Sequence, residues 1–422
     1  MAVKKKNSYF DEKETRSPAK RREDQARELA AMMRLAVRKS PRIRKQVEAL
    51  GIKPVKRNAY KILKMLPVIS REKLVQMEID DPPYAGLGNP DSAIDRIFTS
   101  PGPVYEPHLP ESDPIWARAY RAAGFGPGDV VLNAFSYHLV AAGLTFHSGL
   151  RRAGATVVPS GASSTAIQVQ LIRDLRVTGY TGTPSFLKAI IEKAAEAGHD
   201  FKRDFLVRKA SFAAEPLHPA LREEFENRYG IDTYQMYGAT EVGDVAYECR
   251  EKKGWHICEE VFVEILDPET GRDVPPGELG EVVVTRFNGI FFLFRFATGD
   301  LSRLIPERCP CGRTSLRLAG VAGRVGEAVK VRGMFVAPSQ LKKIGEFFPD
   351  WKFQVVVNRS ENRDFLTVRI DAPETKRGKE HLASFEKHFA EICTVRIDRV
   401  EEIPQGTLGE SYKPIVDERS WK

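Results

Sequence analysis

The sequence predicts an α/β protein made of a large N-terminal domain and a small α+β C-terminal domain. Its 422 residues, 42% of them hydrophobic, exceed what a single core usually organises. Short apolar runs alternate with helical stretches between residues 95 and 240, which favours parallel strands connected by helices. Beyond residue 260 the apolar runs follow one another with Gly and Pro turns between them, so a β-rich part is expected there.

The first 50 residues carry the net charge of the chain. They contain fifteen Lys or Arg and seven Asp or Glu, an excess equal to the +8 of the whole sequence. Apolar residues recur there at helical spacing: Leu29, Met32, Met33, Ala36 and Val37. We therefore expect an amphipathic helix that ends before Pro41, with the basic residues on its solvated side. A nucleic-acid or membrane patch is the alternative, but no zinc finger, RNP-type aromatic motif or arginine repeat supports it.

The order of the predicted elements gives the domain division. Strands are predicted within 129–137, 155–161 and 177–186, and helices at 141–153 and 165–175. Beyond Gly323, further β-rich runs with two intervening helical patterns predict a small α+β unit. The boundary is placed near Gly326, which gives domains of residues 1–325 and 326–422.

Targeting signals are not apparent in the sequence. No apolar run approaches the roughly 20 residues of a membrane-spanning helix. The start, MAVKKKNSYFDEKE, lacks the apolar middle of a secretory signal. The sequence therefore predicts a cytoplasmic protein with no membrane span and no nucleic-acid partner, and it leaves open whether the chain forms a homodimer.

Residues 236–243, MYGATEVG, combine a glycine, a hydroxyl and a carboxylate at the expected end of a strand. Ligands of α/β proteins bind at the carboxyl ends of parallel strands. Gly238 permits a close turn, and Thr240 beside Glu241 suits phosphate oxygens and Mg²⁺, which takes hard oxygen ligands. An exposed turn uses the same residue types, so this motif by itself leaves both interpretations open.

Further motifs follow one another from about residue 8 to the C-terminus. They include YFDEKETRS (9–17), TGTPSFL (181–187), AAEPL (213–217), GELGEVVVT (277–285), FATGD (296–300), CPCGRT (309–314) and GRVGEAVKVRGMFVAPSQL (323–341). In this order, together with MYGATEVG, they resemble the phenylacetate-CoA ligase family of the adenylate-forming, or AMP-binding, superfamily. The resemblance implies that 1–325 is an adenylate-forming domain and 326–422 a mobile C-terminal lid.

The resemblance implies a two-step reaction. A carboxylic acid attacks the α-phosphate of ATP to give an acyl-adenylate and pyrophosphate, and coenzyme A then displaces AMP. By position, the implied nucleotide contacts are Ala214, Glu215 and Pro216 along the adenine, Tyr237 stacked on it, Gly238 beside it, and Asp300 with Arg324 at the ribose. Thr240 would bond the α-phosphate and Glu241 would hold Mg²⁺. The alternative for Asp300 is a carboxylate that stabilises a turn.

The acid is expected to bind beside an aromatic run. The candidate pocket residues are Phe135, Tyr137, His138, Gly161, Thr183 and Met236. A bulky aromatic lining favours an aromatic or other apolar acid over acetate. A packed aromatic strand is the alternative, and His138 is given no acid–base role.

Four residues have the chemistry of a zinc site. Cys249 and His256 are followed by Cys309 and Cys311, and three thiolates with one imidazole make a closed tetrahedral set. The site would be structural, because four protein ligands leave no open position. Reduced thiols of a cytosolic protein are the alternative. Cys258 is a possible substitute ligand, and Cys393 is expected to be buried alone.

The chain departs from the family at its phosphate loop. The serine- and threonine-rich loop with a lysine falls on FTSPGPVYEP (98–107), where the threonines and the lysine are missing and two prolines remove backbone donors. Ser100 and Gly102 are the remaining candidate contacts. Glu106 would repel phosphate unless Mg²⁺ or a base intervenes.

Three further departures affect the mobile parts. The basic residue before TGD is Ala297, with Arg295 nearby, and the hinge acid of GRxDD is Gly326. The C-terminal catalytic lysine falls on Ser411, and Lys413 two residues on is the candidate replacement. An acyl-CoA ligase is the preferred function. A non-catalytic nucleotide-binding relative and an adenylate-former with another acceptor are the alternatives.

Overall fold

The computed structural model describes residues 9–100, 104–109, 112–325, 328–331, 334–360 and 363–419. It contains two compact units. The first comprises residues 1–264, 283–298 and 304–319, and the second comprises residues 265–282, 299–303 and 320–422. The predicted division into domains of residues 1–325 and 326–422 stays a prediction.

The elements alternate in type along most of the chain. The N-terminal part contains α1 (Pro18–Lys39), α2 (Pro41–Glu48), α3 (Ala59–Met65), β1 (Ile69–Ser70) and α4 (Arg71–Asp80). Next come β2 (Ile97–Ser100), β3 (Val104–Pro107), α5 (Ser112–Ala122), β4 (Val130–Asn133), α6 (Ala142–Ala153), β5 (Thr156–Val158), α7 (Thr165–Asp174), β6 (Gly179–Gly182), α8 (Pro184–Glu196), α9 (Phe201–Asp204), β7 (Lys209–Phe212), α10 (Pro219–Glu223) and β8 (Asp232–Ala239). The β-rich part contains β9 (Gly243–Glu248), β10 (Trp255–Ile257), β11 (Val261–Leu266), β12 (Gly280–Arg286), β13 (Phe296–Ser302), β14 (Leu304–Ile305), β15 (Arg317–Leu318) and β16 (Gly323–Arg324). The last elements are β17 (Val329–Val331), β18 (Met334–Val336), α11 (Pro338–Phe347), β19 (Lys352–Ser360), β20 (Arg363–Asp371), α12 (Lys379–Cys393), β21 (Arg399–Ile403) and β22 (Ile415–Asp417).

A nine-stranded sheet organises the first unit, in the order β14-β15-β10-β9-β8-β7-β6-β4-β5. Strands β5, β4, β6, β7 and β8 are parallel to one another, with Tyr180 opposite both Leu132 and Ala210. This half confirms the α/β prediction. The continuation from β8 through β9, β10, β15 and β14 is antiparallel. Apolar residues of β4, β6 and β7 form one core with those of α7 and α8.

The N-terminal helix ends as predicted, but part of its polar side is buried. Ser40 follows α1, and its hydroxyl caps α2, whose first residue is Pro41. Arg21 and Asp24 are buried, against the expectation of a fully solvated basic side. Arg21 donates to both carboxylate oxygens of Glu259, at 2.9 and 3.0 Å. The helix is therefore fixed to the first unit by ion pairs as well as by apolar contacts.

The C-terminal part of the second unit is α+β, as predicted. Strands β19 and β20 are antiparallel, and β22 and β21 add to them in parallel in the order β21-β20-β19-β22. Its core includes Val355, Leu366, Phe385 and Phe389, all buried. The last residues of β13 pair with β16, and Asp300 lies opposite Arg324. Within the described ranges, no helix combines the length and the apolar character needed to cross a membrane.

Candidate active site

The connection from β8 to β9 carries the motif that sequence analysis placed at a strand end. Strand β8 continues to Ala239, two residues past Tyr237, and the turn occupies residues 240–242. The register shifts between Tyr237 and Gly238, which marks a β-bulge. A Cβ at Gly238 would lie 2.4 Å from the carbonyl oxygen of Gly243. The glycine is therefore required by the approach of β9 and not by the turn itself.

Glu241 lies buried in this turn and uses both of its oxygens. Its Oε1 accepts from Nε of Arg71 at 2.8 Å, and its Oε2 accepts from the Thr240 hydroxyl at 3.2 Å. Only 3% of the Glu241 side chain is exposed. A carboxylate and a hydroxyl side by side are hard oxygen ligands, so the pair fits Mg²⁺ with a nucleotide phosphate.

The segment at the position of the phosphate loop forms a β-hairpin. Ser100 ends β2 and Glu106 lies on β3, and the Ser100 hydroxyl donates to Oε1 of Glu106 at 2.8 Å. Burial raises the pKa of Glu106 to about 7, and the Glu241 carboxylate adds to this. Gly102, the second candidate phosphate contact, lies outside the described residues.

The predicted adenine-binding loop follows β7. Ala214 has a φ of 69°, in the left-handed region that non-glycine residues rarely adopt. The Ser185 hydroxyl donates to Oε1 of Glu215 at 2.9 Å, which ties the loop to the first turn of α8. Ala214, Glu215 and Pro216 are all exposed. An ordered loop with exposed side chains at a strand end has the shape of a binding surface.

Tyr237, the predicted stacking residue, already stacks on one neighbour. Its ring lies 5.5 Å from that of Trp255 at an angle of 26°. Its hydroxyl donates to the Thr298 hydroxyl at 3.2 Å. The tyrosine is thus held in one orientation before any ligand binds.

In the second unit, Asp300 and Arg324 are brought together. Nε of Arg324 lies 3.4 Å from Oδ1 of Asp300, and Asp300 belongs to strand β13 and not to a turn. Arg295 does not replace the missing base before TGD as a phosphate ligand. It is buried, with its Nε and Nη2 each 3.1 Å from Glu264, and its Nη1 donates to the Lys64 and Leu66 carbonyls. Its guanidinium is therefore committed to the core of the first unit.

Lys413 is exposed and lies two residues before β22. Its carbonyl accepts from the side-chain amide of Gln354 at 2.8 Å, so the backbone of this segment is fixed on β19 while the amine faces solvent. The predicted hinge residue Gly326 lies outside the described residues.

Three of the predicted acid-pocket residues lie together. A Cβ placed on Gly161 would be 3.8 Å from both the Phe135 carbonyl and the Tyr137 ring. The Phe135 ring packs on Phe146 with centroids 4.6 Å apart. His138 is exposed and, as in the sequence analysis, is given no acid–base role. The remaining two predicted residues stay candidates: Thr183 caps α8 and Met236 is buried on β8.

Sequence analysis missed the polar residues beside Tyr137. The amide nitrogen of Asn133 donates to the Tyr137 hydroxyl at 2.7 Å, and Nδ1 of His147 lies 3.1 Å from the same oxygen. Burial raises the pKa of Tyr137 to about 12, partly offset by Asn133. Burial and the nearby Arg151 lower the pKa of His147. His147 belongs to α6, which follows β4 and the segment that contains Tyr137. Only the spacing of ten residues between them could have suggested the contact of His147 with Tyr137.

The four cysteine and histidine residues of the predicted zinc site converge. The ligand atoms of Cys249, His256, Cys309 and Cys311 all lie within 4.8 Å of one another, and all four residues are buried. The Cys249 and Cys309 sulfurs are 3.7 Å apart, and the Cys311 sulfur is 3.3 Å from Nε2 of His256. A tetrahedron with zinc–sulfur distances of ~2.3 Å has sulfur–sulfur edges of ~3.8 Å, so the set fits zinc.

The surroundings of this cluster suit a bound metal. The hydrogen bond with Cys249 and the contact with His256 lower the pKa of Cys311, although burial opposes this. Nδ1 of His256 lies 3.3 Å from the Ser315 hydroxyl, which orients the ring. The Tyr9 hydroxyl donates to the Cys311 carbonyl at 2.8 Å. Cys258 is buried elsewhere, beside Asp244, and Cys393 is buried in the second unit.

A family model described as AMP-binding enzyme matches residues 114–290. A phenylacetate-coenzyme A ligase of Thermus thermophilus is 30% identical over 381 residues, which cover 87% of this chain and 84% of that relative. That of Escherichia coli is 31% identical over 392 residues, covering 89% of this chain and 88% of the relative. The chain is thus an AMP-binding enzyme by class.

Within that class the chain belongs to the phenylacetate-CoA ligase family, as the resemblance predicted. The fold agrees with a crystal structure of 2-hydroxyisobutyryl-CoA ligase in an open conformation, in complex with 2-HIB-AMP and CoA. The TM-score is 0.83 at 22% identity, covering 99% of this chain and 96% of that one.

Proposed function

We propose that the protein is an ATP-dependent carboxylate–CoA ligase. The acid's carboxylate oxygen attacks the α-phosphorus of ATP, pyrophosphate leaves, and the thiolate sulfur of coenzyme A then attacks the acyl carbonyl and releases AMP. Family membership supports this, and the single observation that carries it is the pairing of the exposed Thr240 hydroxyl with the buried Glu241 carboxylate at the end of the parallel sheet. Catalysis would consist mainly of placement and of charge neutralisation on the phosphates.

Each part of the nucleotide has candidate partners. The Thr240 hydroxyl donates to the α-phosphate, and Glu241 holds Mg²⁺, which neutralises charge that develops on the leaving pyrophosphate. Adenine lies on the exposed loop of Ala214, Glu215 and Pro216 beside Tyr237 and Gly238. Asp300 takes the ribose hydroxyls with Arg324, because a carboxylate accepts two hydroxyl groups well. Ser100 and Gly102 are the phosphate contacts of the altered loop.

The acid is aromatic in this proposal. Phe135, Tyr137, Gly161, Thr183 and Met236 line its pocket, and the close packing of Phe135 on Phe146 gives the pocket an apolar wall. The Tyr137 hydroxyl, held by Asn133 and His147, presents a polar group at one side. His138 is exposed and belongs at most to the rim of the pocket.

The small C-terminal domain, residues 326–422, supplies the remaining catalytic group. Lys413 orients the substrate carboxylate and the α-phosphate when this domain turns over the N-terminal domain of residues 1–325. The exposed amine on a fixed backbone supports this role, because a lysine that acts in one domain orientation has to be free in the other.

Zinc is the second metal of the proposal. Cys249, His256, Cys309 and Cys311 hold it with four protein ligands, so it is structural and has no open position for a substrate. Reduced cysteines, together with ATP and coenzyme A as substrates, support a cytoplasmic location. A homodimer stays a prediction.

The alternative is a relative that binds a nucleotide or an acyl-adenylate without turning it over. The hairpin of Ser100 and Glu106 favours it, since the loop of FTSPGPVYEP presents a carboxylate where a phosphate-binding loop presents hydroxyls and a lysine. The third candidate function is an adenylate-forming enzyme that transfers the acyl group to an acceptor other than coenzyme A.

Pyrophosphate release decides among these functions. The full-length protein is incubated with ATP, Mg²⁺ and a panel of aryl, arylacetic, medium-chain and dicarboxylic acids, with and without coenzyme A. Release with aryl or arylacetic acids, and thioester formed only with coenzyme A, is expected. No release with any acid, while calorimetry still detects AMP binding, would favour the non-catalytic relative.

A further inference from the structure

The connection between β14 and β15 carries two of the four candidate zinc ligands. It comprises residues 306–316, all within the described part of the chain, and forms neither helix nor strand. Cys309 and Cys311 belong to it, and their sulfur atoms lie within 4.8 Å of the ligand atoms of Cys249 and His256. A backbone outside helices and sheets depends on other contacts for its shape, and a bound metal supplies two of them here.

The N-terminal segment of residues 9–16 is bound to this β14–β15 connection. The Tyr9 hydroxyl donates to the Cys311 carbonyl at 2.8 Å. The Thr314 amide donates to the Glu14 carbonyl at 3.0 Å. Both bonds end on the part of the connection that begins at a candidate zinc ligand. Their geometry therefore depends on where the metal holds that ligand.

Arg313 links a ligand sulfur to the same segment. Its amide donates to the Cys311 sulfur at 3.4 Å, and its Nε donates to Oε1 of Glu14 at 2.7 Å. The guanidinium carbon lies 5.3 Å from the centre of the Tyr9 ring. The Glu14 side chain has no exposed surface, and its Oε2 accepts from the Phe10 amide. One residue thus contacts a zinc ligand with its backbone and the N-terminal segment with its side chain.

Other contacts of the N-terminal segment lie away from the β14–β15 connection. Lys13 pairs with Glu260 at 2.9 Å, and Arg16 pairs with Glu259 at 2.8 Å. Both acids directly precede β11, so these ion pairs do not require the connection to keep its shape. Arg21 of α1 is also bound to Glu259. Loss of zinc is therefore expected to loosen the N-terminal segment without releasing the helix that follows it.

We propose that the N-terminal segment is the outer sphere of the zinc site, so that docking of the segment and binding of zinc strengthen each other. The metal gives the β14–β15 connection the shape on which the segment docks, and the docked segment holds the connection in the shape that binds the metal. Two such processes are coupled by the same factor in both directions. This inference rests on the zinc site of the proposed function and not on the ligase reaction.

The zinc affinity of the full-length protein tests one direction of the coupling. Competition with a coloured chelator gives the dissociation constant of zinc without any substrate. Tyr9→Phe removes only the hydroxyl that donates to the Cys311 carbonyl, and Glu14→Gln removes the charge that pairs with Arg313. Glu12→Gln is the matched control, because it makes the same change at an exposed position of the same helical turn.

Both test variants are expected to bind zinc more weakly than the wild type. Removal of groups that orient metal ligands commonly costs 10–100-fold in metal affinity, so each should lose at least about tenfold, and Glu12→Gln should bind zinc as the wild type does. Tyr9→Phe keeps the aromatic ring over which Arg313 lies, so its folding is expected to be unimpaired. Wild-type zinc affinity in Tyr9→Phe and Glu14→Gln would overturn the proposal.

Hydrogen exchange tests the other direction. The amides of Phe10 and Asp11, which donate to the Glu14 carboxylate, should exchange at least about tenfold faster once a chelator has removed zinc, and should be protected again when zinc is added back. Helices α7 and α8, which pack on the parallel sheet, should keep their protection. Unchanged exchange at Phe10 and Asp11, or equally faster exchange in α7 and α8, would also overturn the proposal.

The outcome is separable from that of the proposed function. A wild type that binds no zinc would remove both the zinc site and this inference. A wild type that binds zinc with an affinity independent of Tyr9 and Glu14 would keep the structural zinc and lose this inference alone. The pyrophosphate assay bears on neither, because zinc binding is measured in the absence of acid, ATP and coenzyme A.

Discussion

Arg71 and Glu241 form an ion pair across 170 residues of sequence, with Nε of the arginine 2.8 Å from Oε1 of the glutamate. Arg71 begins α4, directly after the short strand β1, and Glu241 lies in the turn after β8. The glutamate side chain is almost fully buried, and the arginine compensates its charge there. In the proposed reaction Glu241 would hold Mg²⁺, and the ion pair fixes the position of the carboxylate.

Glu241→Gln should abolish ATP-dependent turnover and leave AMP binding intact. The amide keeps the shape of the side chain but removes the charge that binds Mg²⁺, so pyrophosphate release should fall at least about 100-fold. AMP affinity, measured by calorimetry, should stay within about twofold, because AMP lacks the leaving pyrophosphate that Mg²⁺ neutralises. Glu196→Gln, at an exposed position of α8, is the control. Undiminished turnover of Glu241→Gln would refute the magnesium role.

Cys311→Ser should lower zinc content and thermal stability together. Removal of one of four ligands opens the site, and a buried structural zinc contributes directly to folding free energy. Zinc is measured by mass spectrometry of the purified protein, and stability by calorimetric melting. Cys393→Ser is the matched control, since this cysteine is buried in the core of the second unit and should affect stability without affecting zinc. A folded wild type that contains no zinc would contradict the prediction.

Lys413→Ala should slow adenylation more than thioester formation. The lysine is proposed to act on the carboxylate and α-phosphate, which react only in the first step. Single-turnover pyrophosphate release should fall at least about tenfold, while transfer from added acyl-adenylate to coenzyme A changes little. Lys387→Ala, an exposed lysine of α12, controls for loss of charge. Equal slowing of both half-reactions would argue against the assigned role.

Arg118→Leu should strongly destabilise the first unit. The guanidinium is 2% exposed and lies 2.5 Å from Oε2 of Glu260 and 2.6 Å from Oδ2 of Asp11. Its loss leaves the buried Glu260 carboxylate with only the partly exposed Lys13 as a cation, and breaking such a buried pair costs about 3–5 kcal/mol. Urea denaturation at neutral pH measures this cost. Arg173→Ala removes an exposed ion pair with Asp174 and should have a much smaller effect, because solvent screens exposed pairs. Similar effects of the two changes would show that the buried pair is not stabilising.

The same buried pair gives the stability a pH dependence. Burial alone would raise the pKa of Glu260, but Arg118 and Lys13 outweigh it and hold the pKa below its ordinary value of 4.5. A lowered pKa in the folded state means that the contribution is present above pH 4.5 and is lost as pH falls through the folded-state pKa. The free energy of unfolding of the wild type should therefore decrease below pH 4.5. Glu260→Gln should show a shallower decrease, and an identical pH profile would contradict the assignment.

The periodic part of the fold was predictable from sequence, and the buried charges were not. The parallel strands and their helices were predicted from short apolar runs that alternate with helical stretches. The predicted strand ends then gave the position of Thr240 and Glu241. Strand β8 continues past its predicted end because Gly238 lets β9 approach closely. The sequence indicated only a turn at this glycine, since the approach of another strand is a tertiary effect. The basic helix was expected to be solvated, but Glu259 draws Arg21 into the interior.

The polar partners of the candidate site were not predictable from the sequence. Arg71 and His147 are ordinary helix residues in the sequence. Only the ten-residue spacing of His147 from Tyr137 pointed to one of these contacts, and no spacing links Arg71 to Glu241. The cysteine cluster, by contrast, was predictable from residue type alone, because three thiols and an imidazole have few other reasons to be buried together. Residue chemistry thus located the cysteine–histidine cluster, whereas only the fold could show which charged group pairs with Glu241.

The hydrogen bond from Tyr9 to the Cys311 carbonyl closes a loop of 302 residues. The partners of Glu14 and Arg21 include Arg313 and Thr314, so the segment of residues 9–24 packs on the connection between β14 and β15. During synthesis this segment leaves the ribosome long before residue 314 and stays without its partners until that residue has emerged. We expect it to fold last in the first unit, so a chain truncated after residue 300 should be cleaved by protease within residues 9–24, whereas the full chain should be protected there.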